Sequence, residues 1–189
     1  LVDNDSYDII MAQNLVYPRT KKEVTMGGGG GVVGEDDDRR GREEIEEIIP
    51  HRSPFLFLRE VYDLVPGESG VGVFNPEDYP WITEGHFPGN EVVPGFITAE
   101  AMAQTGAVIL LCQEEYEGRG VRLLGADKLK WRSPIVPDEA MVRLHVTIQK
   151  TRKVGDSVFG TATGKAFINR EPKPAFSGEV KFALVNEGE

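Results

Sequence analysis

The 189-residue sequence holds one cysteine, Cys112, and three histidines, His51, His86 and His145. A lone cysteine excludes an internal disulfide, and the N-terminus lacks the basic-then-apolar layout of a secretory leader, so a reducing, cytoplasmic setting is expected. Long apolar runs are also missing. The most apolar stretch, Ala99 to Cys112, is broken by Glu100 and Gln104 and falls short of the roughly 20 residues that cross a bilayer, which argues against a membrane span. Positive charge is in deficit: 21 basic residues stand against 31 acidic ones, a formal charge of -10, so phosphate repulsion disfavours nonspecific nucleic-acid binding. What is present, 40% apolar and 28% charged residues, suits one ordinary domain with length to spare.

That spare length lies at the front. Residues 1–42 carry an unbroken glycine run from Gly27 to Gly31 and an acidic run from Glu35 to Asp38, with too few apolar groups to offset the entropy of ordering. They read as a flexible extension, and residues 43–189 as the folded domain. Gly29, Gly31 and Gly34 match a G-x-G-x-x-G pattern, but no strand and helix flank it and the four acids that follow would repel a pyrophosphate. Eight acids in the extension also argue against an organelle transit peptide.

Beyond Arg42, four glutamates spaced around Ile45, Ile48 and Ile49 predict a short helix that Pro50 ends. Strands are predicted for Phe55 to Leu64 and Ser69 to Phe74, with a turn at Pro66-Gly67. A loop dense in Pro and Gly runs from Pro76 to Pro94. It leads into one long helix, Gly95 to about Tyr116, apolar almost all round and therefore expected to be buried. Val121 to Trp131, Ala140 to Thr151, Ser157 to Ile168 and Ala175 to Val185 read as further strands. One buried helix, about six antiparallel strands and no βαβ rhythm predict an α+β domain whose sheet curls around the helix.

The histidines differ in their surroundings. His145 alternates with Leu144 and Val146 and reads as a strand-face residue; His51, at a helix stop beside Arg52, reads as a terminus-stabilising one. His86 lies within Gly85-His86-Phe87-Pro88-Gly89, ahead of Pro94-Gly95 and of a helix that carries Glu100 and Gln104 one turn apart. A carboxyl on an otherwise apolar helix needs a partner or a raised pKa, and Gln104 can supply a hydrogen bond. An imidazole on a rigid loop, the bare helix N-terminus at Gly95 and a deeper carboxyl make a candidate proton-transfer site. The plainer reading is a buried polar pair that only fixes packing. No Gly-x-Ser-x-Gly elbow occurs, and Cys112 is expected deep in the buried helix, so nucleophilic catalysis has little support.

The run from His86-Phe87-Pro88-Gly89 through Pro94-Gly95 to Glu100-Ala101-Met102-Ala103-Gln104 resembles the signature of the 3-hydroxyacyl-[acyl-carrier-protein] dehydratases of the FabZ type. Ile49-Pro50-His51-Arg52-Ser53-Pro54-Phe55-Leu56 resembles the family's opening motif, and Lys128 to Pro137 its Lys-Phe-Arg-x-Pro-Val-x-Pro strand. The resemblance spans about residues 43 to 185. It implies a hotdog fold, an antiparallel sheet wrapped around one long central helix. It further implies a homodimer with shared active sites, in the family often a trimer of dimers, acting without metal or organic cofactor.

By position, His86 is the implied catalytic histidine and Glu100 the implied acid, with Gly95, Phe87, Pro94 and Gln104 as substrate-binding residues. The implied reaction is dehydration of (3R)-hydroxyacyl to trans-2-enoyl thioesters on acyl carrier protein, in fatty acid biosynthesis. That carrier is acidic, and Arg119 to Arg132 holds five basic residues, Arg119, Arg122, Lys128, Lys130 and Arg132, against Asp127 alone. With Lys150, Arg152 and Lys153 they are candidate docking residues; the competing reading is a set of solvated strand edges. Glu91 and Val93 replace a usual proline and methionine, and Pro137-Asp138-Glu139 a usual Pro-Gly-Asp turn, which bears on chain length and carrier fit. A hotdog thioesterase and a noncatalytic acyl-binding subunit are the rival functions.

Overall fold

The computed structural model describes residues 38–186. The glycine run and the Gly29-Gly31-Gly34 pattern lie outside the described residues. Arg40 and Gly41, placed in the extension on composition, form β1 (Arg40–Gly41), which pairs with the start of β2 (Glu60–Val65). They run straight into α1 (Arg42–Ile48), whose N-terminus is closed by the Glu44 carboxylate accepting from the Gly41 amide at 2.8 Å. Glu43 and Glu44 suit the positive end of that helix.

The other strands are β3 (Ser69–Phe74), β4 (Arg119–Trp131), β5 (Val142–Val154), β6 (Ser157–Ile168) and β7 (Phe176–Asn186). All pairings are antiparallel, in the order β1-β2-β3-β5-β6-β7-β4. The sheet is an α+β layer curled against α2 (Gly95–Leu111), which touches every strand from β2 to β7. Twelve of the 17 residues of α2 are buried, so the helix is covered on nearly all sides, as its apolar composition predicts. Glycine makes the close approach possible: a methyl group at Gly164 on β6 would overlap the Met102 sulfur. No helix among the described residues is long and apolar enough to cross a membrane.

Two predicted boundaries shift, and both for the same reason: side chains take over backbone hydrogen bonds. Phe55 to Leu58 is not strand. Gln104 Oε1 accepts from the Phe57 amide and its Nε2 donates to the Phe55 carbonyl, both at 2.9 Å. The Tyr79 hydroxyl donates to Leu56 O at 2.6 Å and Arg42 to Leu58 O at 3.1 Å, so ladder pairing begins only with Glu60. Likewise α2 stops at Leu111, where the Gln113 amide nitrogen donates to Leu110 O at 2.9 Å; a short 3₁₀ turn, Glu114–Tyr116, follows. Cys112 is therefore a half-buried cap residue rather than a deep one, and partial burial pushes its thiol pKa up.

Candidate active site

His86 sits on a loop held shut by its own backbone: its amide donates to Thr83 O at 2.8 Å and its carbonyl accepts from Val92 at 2.9 Å. Gly85 and Gly89 bracket it with φ of +83° and +76°, a region that side chains avoid. The imidazole Nδ1 lies 2.7 Å from the Val92 carbonyl, which can only accept, so Nδ1 carries the hydrogen. In the neutral ring that tautomer leaves the lone pair on Nε2, the form a general base needs. Phe87 stacks on the ring with centroids 4.1 Å apart and is itself exposed.

The ring borders a cavity of about 600 Å³ whose walls include Val93, Gly95, Trp131, Ile135 and Phe176. Buried Pro94 caps α2 through its backbone, accepting from Ile97 N at 2.9 Å, and offers no side-chain oxygen to the first turn. The amides at the start of that turn have no intrahelical acceptor and carry the positive end of the helix dipole. Gly95 must be glycine for a steric reason: a Cβ there would overlap the Trp131 indole nitrogen, which donates to Gly95 O at 3.0 Å. Thr98 also borders the cavity, and its hydroxyl is buried without a partner among the described residues.

Glu100 does not line this cavity. Its Oε1 accepts from Gln104 Nε2 at 2.9 Å and faces His51 Nε2 at 3.5 Å. The hydrogen bond from His51 is the largest influence on its pKa and, with that from Gln104, outweighs the desolvation that pushes the other way. The net direction is downward, so of the two options for a carboxyl on an apolar helix, a partner or a raised pKa, this chain shows the partner: the carboxyl is only partly buried and two donors face one of its oxygens. Gln104 is 1% exposed and commits its amide to Phe55, Phe57 and Glu100, so it holds the Glu100 carboxyl and leaves no hydrogen for a substrate.

His51 is the residue the sequence reading assigned elsewhere. The carbonyl at the end of α1, Ile49 O, is held by Arg52 at 2.8 Å, not by His51. The only local signal was its place in the opening motif. Among the basic residues, Arg119 reaches Asp156 O, Lys128 pairs with Glu179 at 3.2 Å, and Arg132 donates to Ser177 at 3.0 Å while bordering the cavity. Arg122, Lys130, Lys150, Arg152 and Lys153 are exposed.

A single buried helix gripped by a curled antiparallel sheet is the architecture of the hotdog class of α+β proteins. A FabA-like domain matches residues 49–172. The chain is 39% identical over 142 residues to the 3-hydroxyacyl-[acyl-carrier-protein] dehydratase FabZ of Syntrophomonas wolfei, covering 75% of this chain and 94% of that one. It is 42% identical over 126 residues to the FabZ of Enterococcus faecalis, covering 67% and 86%. The chain belongs to the FabA-like family, among its FabZ-type dehydratases. In fold it is similar to a chain of the dehydratase heterocomplex ApeI:P from Xenorhabdus doucetiae, with a TM-score of 0.57 at 15% identity over 77% of this chain and 93% of that one. A second similar structure is that of an HP0420 homologue from Helicobacter felis, with a TM-score of 0.56 at 12% identity over 78% and 91%.

Proposed function

We propose that this chain dehydrates (3R)-hydroxyacyl thioesters carried on acyl carrier protein to trans-2-enoyl thioesters, as a cytoplasmic step of fatty acid biosynthesis. The observation that carries the mechanism is the His86 ring, tethered through Nδ1 to Val92 O beside the open amides of α2. His86 Nε2 removes the proton at C2, and the thioester oxygen is held by the Gly95 amide and the helix N-terminus as negative charge develops there. The C2–H electron pair becomes the C2–C3 double bond, the C3–O bond breaks, and Glu100 gives its proton to the departing hydroxyl, which leaves as water. Solvent then returns a proton to Glu100 and takes one from His86.

Because Glu100 lies outside the cavity of its own His86, the reading places the two groups of one site on different subunits of a homodimer. The edge strand β4 supports a second copy as the occupant of that face: it is 13 residues long, has β7 as its one neighbour among the described residues, and exposes Leu123, Leu124 and Trp131. Burying Glu100 in a closed acyl tunnel would raise its pKa toward the protonated form that the acid role needs. Exposed Arg122, Lys130, Arg152 and Lys153 are the residues proposed to meet the acidic carrier. Replacing His86→Ala and Glu100→Gln is expected to abolish hydration of a crotonyl thioester with circular dichroism unchanged. Full activity in either variant would sink the assignment.

A further inference from the structure

We propose that His51 is a positioning residue for the reaction, one that with Gln104 holds Glu100 Oε1 and so reserves Oε2 for the proton delivered to the leaving hydroxyl. The inference rests on the reading of Glu100 as the acid. Its geometric basis is that both donors converge on the same oxygen, Gln104 Nε2 at 2.9 Å and His51 Nε2 at 3.5 Å. A neutral carboxyl has one carbonyl oxygen that accepts and one hydroxyl oxygen that donates. With Oε1 accepting from Gln104 and facing His51, the acid hydrogen belongs on Oε2. The 3.5 Å separation is longer than a settled N–H···O bond, so the contact orients the carboxyl rather than binding it tightly.

The position of His51 is built, not incidental. It follows the end of α1, where Arg52 clamps the carbonyls of Ile49 and His51 at 2.8 Å each. Nδ1 of the ring is buried with no partner among the described residues. The tautomer with its hydrogen on Nε2 suits this arrangement, since it donates toward Oε1 and leaves the unpartnered Nδ1 as a lone pair rather than a stranded donor. Among the described residues of one chain, the groups that act on the titration of Glu100 are His51, from the loop after α1, and Gln104, from its own helix. Removing the His51 donor therefore moves that titration to higher pH.

The experiment uses the full chain with His51→Phe, which keeps a ring but no donor, and His51→Gln, which keeps a side-chain N–H. For His51→Phe, kcat should fall about tenfold with KM within about twofold, as expected for one lost hydrogen bond to the acid. The limb of the pH–rate profile that belongs to Glu100, and its carboxyl titration followed by carbon NMR, should move up. His51→Gln should recover most of kcat. Nitrogen NMR of histidine in the wild-type protein at neutral pH should show the Nε2–H tautomer for His51; the Nδ1–H tautomer overturns the proposal, whether or not the variants fold. An inactive Glu100→Gln together with a His51→Phe enzyme indistinguishable from wild type in kcat and Glu100 titration overturns the role of His51 alone. Full activity in Glu100→Gln overturns the underlying reading.

Discussion

At Gly95 two physical effects oppose each other, and their sizes decide what an alanine would do. Replacing a helical glycine by alanine gains up to about 1 kcal/mol in backbone entropy. Against that, the new methyl overlaps the Trp131 indole nitrogen, whose hydrogen bond to Gly95 O must stretch or break. Overpacking costs about 1–3 kcal/mol and a lost hydrogen bond about 1 kcal/mol more. Gly95→Ala is therefore expected to destabilise the protein by about 1–3 kcal/mol in urea unfolding, and to lower kcat by displacing the amides proposed to hold the thioester oxygen. His86, Gly95, Glu100 and Gln104 stand out in the sequence because each breaks its surroundings: a ring between glycines, a helix start after proline, polar groups in an apolar helix; of these, the structure joins His86 to Gly95 at one cavity and Glu100 to Gln104 by a hydrogen bond. His51 was not, because its partner Glu100 lies 49 positions away and only tertiary structure brings them together.

Among the elements, β5 gives a titration with a definite sign. His145 faces Lys165 on β6 and Val71 on β3 in register, and meets Phe167 edge-on at 5.2 Å. Burial lowers its pKa; Asp63 pulls it up and Arg143 pushes it down, each by less. The unfolded chain thus binds a proton at higher pH than the folded one, so this residue's contribution to stability is full above about pH 6.5 and is lost as pH falls through the lowered value. Unfolding free energies measured from pH 7.5 down to 5 should decline, and His145→Phe should flatten that decline. The reading of His145 as a strand-face residue followed from simple alternation with Leu144 and Val146. Alternation misled for Phe55 to Leu58, whose apolar pattern is that of a strand but whose backbone is held by Gln104, Tyr79 and Arg42, a choice no local pattern encodes.

At the scale of the whole molecule, the two sheet edges are unlike. β1 is two residues long and closes its side with little to pair, whereas β4 presents 13 residues and three exposed large apolar side chains. Strand content and helix burial could be counted along the chain, but which edge stays open depends on the order in which the strands pair. In the proposed dimer each site takes His86 from one subunit and Glu100 from the other. A mixed dimer of His86→Ala and Glu100→Gln chains then holds one site with both native residues and one with neither. Random exchange of equal amounts makes half the dimers mixed, so about a quarter of wild-type sites, and about a quarter of its activity, should return from two inactive proteins. Exchange is followed by mass spectrometry of differently tagged chains, and crotonyl thioester hydration is read on the same mixture. If the two groups instead served one site within a single chain, every chain in the mixture would carry a broken site, and complete exchange would restore nothing.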